Sequence, residues 1–168
     1  MKFGIKKLAI AAATAVGSAA LWAAPVIANN DTWIPPEYVG YCEEIGAQTH
    51  ICPELLEAVI EMESSGQPGA QNCGCYGLMQ INKAYHTERM ARLGVSDLYD
   101  PYSNIKMGAD ILLELYETYG DNTQEILMRY NGVVDAAARA KRLDFTYYAA
   151  HGVERARELE IAHGKVAQ

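Results

Sequence analysis

Pro53-Glu54-Leu55-Leu56-Glu57-Ala58-Val59-Ile60-Glu61-Met62-Glu63-Ser64-Ser65 reads as one short helix. Proline is favoured in a first turn, and Leu55, Leu56, Val59 and Ile60 fall on one face at helical spacing. The four glutamates divide unequally. Glu54, Glu57 and Glu61 are spaced three and four apart and share a polar face. Glu63 follows Val59 by four and Ile60 by three, so it projects from the apolar stripe. It also stands in the last turn, at the negative end of the helix dipole, where a carboxylate is disfavoured. Burial and dipole both raise a carboxyl pKa, which a general acid working near neutral pH requires. The alternative is a glutamate that bends out to solvent at a fraying helix end.

The next residues favour the first reading. Ser64 to Cys75 is a small, polar, turn-rich loop, and Tyr76-Gly77-Leu78-Met79-Gln80-Ile81-Asn82 follows it. Gly77 permits a close backbone approach, while Gln80 and Asn82 offer uncharged amide donors and acceptors. A cleft edged by amides and tyrosines suits a neutral hydroxylated ligand such as a sugar chain. Most of the eleven tyrosines are expected in the core with a wet hydroxyl, Tyr116 and Tyr119 above all.

Outward from there, nearly every segment has a helical period and none shows sustained strand alternation. Helices are predicted over Pro36 to about Ala47, from Pro53, after Asp100-Pro101 as far as Gly120, over Thr123 to Tyr130, over Val134–Leu143 and over Phe145–His163. Gly108, on the apolar face of the long helix, would let another helix approach. The prediction is a compact all-α domain over residues 29–168.

Three blocks carry a resemblance. Met62-Glu63-Ser64-Ser65, Gly77-Leu78-Met79-Gln80-Ile81-Asn82 and Tyr130-Asn131-Gly132 resemble, in order and spacing, the signatures of the soluble lytic transglycosylase catalytic domain, which has a lysozyme-like fold. Asp100-Pro101, Asn104-Ile105 and Gly108 resemble that family's long helix, so the match covers about Cys42 to Gly132. The resemblance implies that Glu63 is the catalytic acid/base and that Ser64, Tyr76, Gln80, Asn82, Tyr130 and Asn131 bind substrate. The implied substrate is the glycan strand of peptidoglycan, cut at the MurNAc–GlcNAc β-1,4 bond with a 1,6-anhydro product and no cofactor. From Ser64 through Thr87 there is no Asp or Glu, which favours this single-acid chemistry over a hydrolytic, goose-type muramidase with a second carboxylate. Glu88, Asp97 or Asp100 folding back into the cleft would restore the hydrolytic reading. A wall-binding or assembly protein that keeps the fold without catalysis is the third reading. The helices of 133–168 have no role legible in the sequence.

The N-terminus reads as an export signal. Lys2, Lys6 and Lys7 precede the uncharged, Ala-rich run Leu8 to Leu21, and Val26-Ile27-Ala28 offers a cleavage site, so residues 1–28 are expected to be removed. The alternative is an uncleaved anchor of barely spanning length. Removal takes three Lys and no acid, changing the net charge from −7 to −10 and leaving 140 residues. That charge excludes a nucleic-acid binder, and an apolar fraction of 50% excludes a disordered chain.

An exported chain places Cys42, Cys52, Cys73 and Cys75 in an oxidising compartment and predicts two disulfides. Of three possible pairings, Cys73–Cys75 would close a strained ring, so both are expected to reach back to Cys42 and Cys52. Their spacing lacks the paired knuckles of a four-Cys zinc site, and the four scattered histidines show no ligand spacing, so no metal is expected. Glu154, Arg155, Arg157, Glu158 and Glu160 read as a solvated charged face. A monomer is expected. Its short form without a separate wall-binding module favours local use beside a secretion or conjugation assembly of the envelope.

Overall fold

In the computed structural model, which describes residues 32–166, the glutamate-bearing segment is the central helix of the fold. In chain order the elements are α1 (Pro36–Thr49), α2 (Pro53–Ser64), β1 (Gln71–Asn72), β2 (Cys75–Tyr76), β3 (Ile81–Asn82), α3 (Thr87–Leu93), α4 (Pro101–Tyr119), α5 (Thr123–Tyr130), α6 (Ala136–Lys141) and α7 (Tyr147–Ala162). Helix α2 packs against α7 and α1, α4 lies against α1 and α5, and α5 packs on α7. Leu56, Val59 and Ile60 of α2 are fully buried together with Ile105 and Leu112 of α4, Leu127 of α5 and Leu159 of α7. Each such side chain contributes roughly 1.5–3 kcal/mol of burial free energy.

The helix boundaries follow local chemistry. Pro36, Pro53 and Pro101 all stand in first turns. Asp100 caps α4 by accepting from the Ser103 N–H, Asn122 caps α5 from Glu125, and Thr146 caps α7 from Ala149. Helix α2 stops where Ser65 turns left-handed (φ 53°) and its N–H donates to the Glu61 carbonyl at 3.0 Å. Helix α3 has no counterpart in the sequence prediction, because only Met90 of its seven residues is buried.

The segment expected as plain loop folds back on itself as a three-stranded antiparallel sheet. Gln71 pairs with Tyr76 and Asn72 with Cys75, then Cys75 with Asn82 and Tyr76 with Ile81. Strands of two residues are too short to print an alternating pattern in the sequence. What pins the sheet to the helices is Asn104 of α4, which is fully buried. Its Oδ1 accepts from the Met79 N–H at 2.7 Å, and its Nδ2 donates to the Tyr76 and Leu98 carbonyls at 2.9 and 2.7 Å. Gly77 must be glycine here. Its φ is 76°, and a Cβ would stand 2.2 Å from Asn104 Nδ2 and from the Leu98 carbonyl oxygen.

Several expectations are corrected. Gly108 admits the Met79 side chain rather than a helix; a Cβ there would meet its sulfur at 2.2 Å. Tyr119 is exposed and stacks under the Arg129 guanidinium at 3.4 Å, while Tyr116 donates its hydroxyl to Thr123. Glu54, Glu57 and Glu61 do not form a solvated face, because α7 and the residues before α1 cover them. The charged run on α7 is likewise not wholly solvated, since Arg155 turns inward to Glu61.

The two expected disulfides are absent: Cys42, Cys52, Cys73 and Cys75 are free thiols. A disulfide needs the two side chains to face each other. Cys42 is buried in the core, and the Cys52 thiol faces Glu54 and Glu160 at 3.3 and 3.6 Å. Burial pushes the Cys52 thiol up to about 12. Cys73 and Cys75 stand apart from both, on the β1–β2 hairpin. The expected export segment, residues 1–28, lies outside the described residues, and among those described no helix is long and apolar enough to cross a membrane.

Candidate active site

Glu63 ends up in a cleft because α2 stops one residue beyond it, at Ser64, leaving the last turn at the edge of the core. The cleft, about 380 Å³, runs between that turn, the β-hairpin and the end of α5. Gln80, Asn82, Tyr130 and Asn131 line it together with Glu63, so four of the six expected substrate-binding residues share the cleft with the expected acid. The other two do not. Ser64 is buried, with its hydroxyl donating back to the Ile60 carbonyl at 3.1 Å. Tyr76 turns to the far side of the sheet, edge-on to Tyr99 at 5.7 Å, where its ring lines an adjoining groove with Asn82 and Tyr85.

The Glu63 carboxylate accepts one hydrogen bond, from the Tyr148 hydroxyl at 2.6 Å. No cation pairs with it among the described residues. Burial therefore dominates and raises its pKa above the ordinary carboxyl value, and the Tyr148 bond offsets this only in part. Burial and the Glu63 charge together hold the Tyr148 and Tyr130 phenols well above their usual pKa. Both tyrosines are fixed neutral donors. Tyr130 donates to the Met79 carbonyl at 2.8 Å, which ties α5 to the hairpin beside Glu63.

Opposite Glu63 the wall is neutral. Gln80 adopts φ 48°, and its Nε2 donates to the Ala70 and Gly77 carbonyls at 3.2 and 2.9 Å, which fixes the amide plane. Asn82 Oδ1 caps the Ala84 N–H at 3.1 Å. His86 also lines the cleft, its pKa lowered by burial and the nearby Arg89 charge, so it is a neutral imidazole there. At the lip Tyr85 exposes 84% of its surface, an apolar platform of the kind sugar faces stack on. Cys73 and Cys75 form part of this wall as thiols.

Glu63 is the only acid among the described residues lining the cleft. The three acids that could have folded back are engaged elsewhere. Glu88 is exposed on α3, Asp97 accepts from the Tyr99 N–H, and Asp100 caps α4. A protonatable carboxyl with no second carboxylate can donate a proton and take one back; it has no partner acid to activate water.

Sequence reasoning missed Tyr148, Tyr85 and His86. Tyr148 lies 85 residues from its partner, in a helix whose pattern signals only packing. Tyr85 and His86 belong to the turn before α3, which the periodicity does not show.

A model of the transglycosylase SLT domain matches residues 40–150, and so runs past the third signature block to include Tyr148. A transglycosylase of Enterobacteria phage PRD1 is 38% identical over 103 residues, covering 59% of this chain and 37% of the relative. Invasion protein IagB of Salmonella typhimurium is 33% identical over 99 residues, 54% of this chain and 58% of that protein. An endo-type membrane-bound lytic murein transglycosylase A of Klebsiella pneumoniae is 34% identical over 136 residues, 71% and 66% respectively. The chain thus spans between 37% and 66% of the length of these curated relatives.

Proposed function

Since the chain belongs to the transglycosylase SLT domain family, we propose that it is an exported peptidoglycan lytic transglycosylase with Glu63 as its acid and base. The observation that carries this reading is a single carboxyl, raised in pKa by burial, in a cleft with no other acid among the described residues. Protonated Glu63 donates to the glycosidic oxygen as the MurNAc–GlcNAc bond breaks. The resulting carboxylate then takes the proton of the muramyl C6 hydroxyl as that oxygen attacks the anomeric carbon. The 1,6-anhydro ring closes and Glu63 regains its proton. The acetamido group of the substrate steadies the intermediate, the task a second carboxylate performs in two-acid enzymes.

The neutral wall supports the same substrate. Gln80, Asn82 and Asn131 present amides to hydroxyl and acetamido groups, and Tyr85 offers a stacking face. With residues 1–28 removed the net charge is −10, which works against charge-driven clinging to an anionic wall and leaves recognition to this cleft.

Digestion of purified sacculi followed by mass analysis of the muropeptides tests the reading. Anhydro-ended products are expected. Hydrated reducing ends would mean hydrolysis, and intact sacculi would mean a non-catalytic wall protein.

A further inference from the structure

The far end of α2 holds a second cluster of chemistry that the cleft does not use. Glu54 and Glu57 stand three apart on one face of α2, and both are fully buried. The last residues of α7 close over them. His163 Nδ1 lies 2.9 Å from Glu54 Oε1 and 3.9 Å from Glu57 Oε1. Glu43 of α1 approaches from the side, and its carboxylate, that of Glu54 and the His163 nitrogen lie within 4.8 Å of one another. Three helices converge here on one point.

A cation already marks that point. Lys165 Nζ lies 2.6 Å from Glu43 Oε1 and 2.7 Å from Glu54 Oε1. It leaves Glu57 unserved, since both Glu57 carboxylate oxygens are buried without a hydrogen-bond partner. An orphaned buried carboxyl is costly, and its ordinary remedies are a water or an ion. Glu57 Oε1 stands 3.9 Å from His163 Nδ1, so a ligand between them would reach both.

We propose that Glu43, Glu54 and His163, with buried Glu57 beside His163 as a further donor, bind one divalent transition-metal ion of the zinc class. One imidazole nitrogen with carboxylate oxygens is a donor set suited to Zn²⁺, and softer or purely oxygen-seeking ions fit it less well. The ion replaces the Lys165 ammonium and ties the end of α7 to α1 and α2. Its route in is open, because the His163 side chain keeps 19% of its surface accessible and Glu43 keeps 48%. The site lies on the opposite end of α2 from Glu63, so its role is to hold α7, the helix that brings Tyr148 into the cleft.

The test uses the full chain treated with EDTA and titrated with Zn²⁺ by calorimetry, alongside thermal unfolding. One ion per chain is expected, together with a Zn²⁺-dependent rise in melting temperature. Glu57→Gln and His163→Gln should each weaken binding at least ~10-fold and abolish the rise, while sacculus lysis without metal stays unchanged. His163 sits at the solvent edge, so its variant folds even if Glu57→Gln does not. Lys165→Met should tighten binding. Cys52→Ser should leave it unaltered, since Cys52 faces the other oxygen of Glu54 and Glu160. Absence of uptake, indifference to both the Glu57 and His163 variants, or loss on Cys52→Ser would each overturn the proposal.

Discussion

Along α2 the same side chain meets two environments. Glu54 in the first turn and Glu61 in the last are buried but matched with cations. Burial pushes each carboxyl pKa up, and this is outweighed by Lys165 and His163 at Glu54, and by Arg155 with the Trp33 N–H and Thr32 at Glu61. Both stay below the ordinary carboxyl value. At the helix end Glu63 is buried beside a tyrosine hydroxyl and no cation, and its pKa rises. The partner, more than the burial, separates these depressed carboxyl pKa values from the raised one of Glu63. Glu57 is raised despite nearby cations, pushed up to about 7 by burial and by the Glu54 and Glu43 charges against the pull of His163 and Lys165.

Removing the donor gives the largest effect. Glu63→Gln should slow sacculus lysis by ~10²–10⁴-fold, the usual worth of a general acid. Its melting temperature should match or exceed that of the parent, because a disfavoured buried carboxyl is gone. A variant that lyses at the parental rate breaks the contrast between the two ends.

Removing a cation should act on folding instead. Arg155 meets Glu61 with its Nε 2.7 Å from Oε2, and the two side chains are only 14% and 6% exposed. Arg155→Met leaves a buried carboxylate with too few partners and should cost about 3–5 kcal/mol in urea unfolding. The double variant Arg155→Met/Glu61→Met should recover much of that loss. Because the Glu61 pKa is depressed, this contribution is present above the unfolded carboxyl pKa and lost as pH falls through the folded value. A pH-independent penalty would show that packing, not charge, holds α7 on α2.

Tyr148→Phe sharpens the other end. The hydrogen bond it removes favours ionised Glu63, so the Glu63 pKa should rise further. The limb where lysis declines with rising pH should then move to higher pH, with a loss of about 1–3 kcal/mol in stability or rate. An unmoved limb would separate Tyr148 from the titration of Glu63.

The smallest effect belongs to Glu57. With its folded pKa raised to about 7 from an unfolded value of 4.5, the unfolded chain gives up this proton first as pH rises. Stability of the EDTA-treated protein should therefore fall between those values, and Glu57→Gln should flatten that slope. A slope unaffected by the substitution would move its origin to another group.

Much of this was legible in the residues. Proline starts and side-chain caps place five helices within a few residues, and the offset of Glu63 from the polar glutamates singles it out. Gln80, Asn82, Tyr130 and Asn131, singled out in the sequence, line one cleft with Glu63. Ser64 bonds back into its own helix and Tyr76 faces across the sheet, because a block of sequence does not say which way alternate side chains turn. The cysteine count predicted staples, yet the thiols stand on elements that face different surroundings.

The sequence by itself determined where six of the seven described helices run and which residue at the end of α2 carries an acid against the hydrophobic grain. Only the tertiary structure decided what that acid does differently from its three neighbours. Tyr148 and Arg155 reach α2 from 85 and 94 residues away. Helical periodicity records which face of a segment is apolar; it cannot record which distant helix will cover that face, or whether that helix arrives with a cation or a hydroxyl.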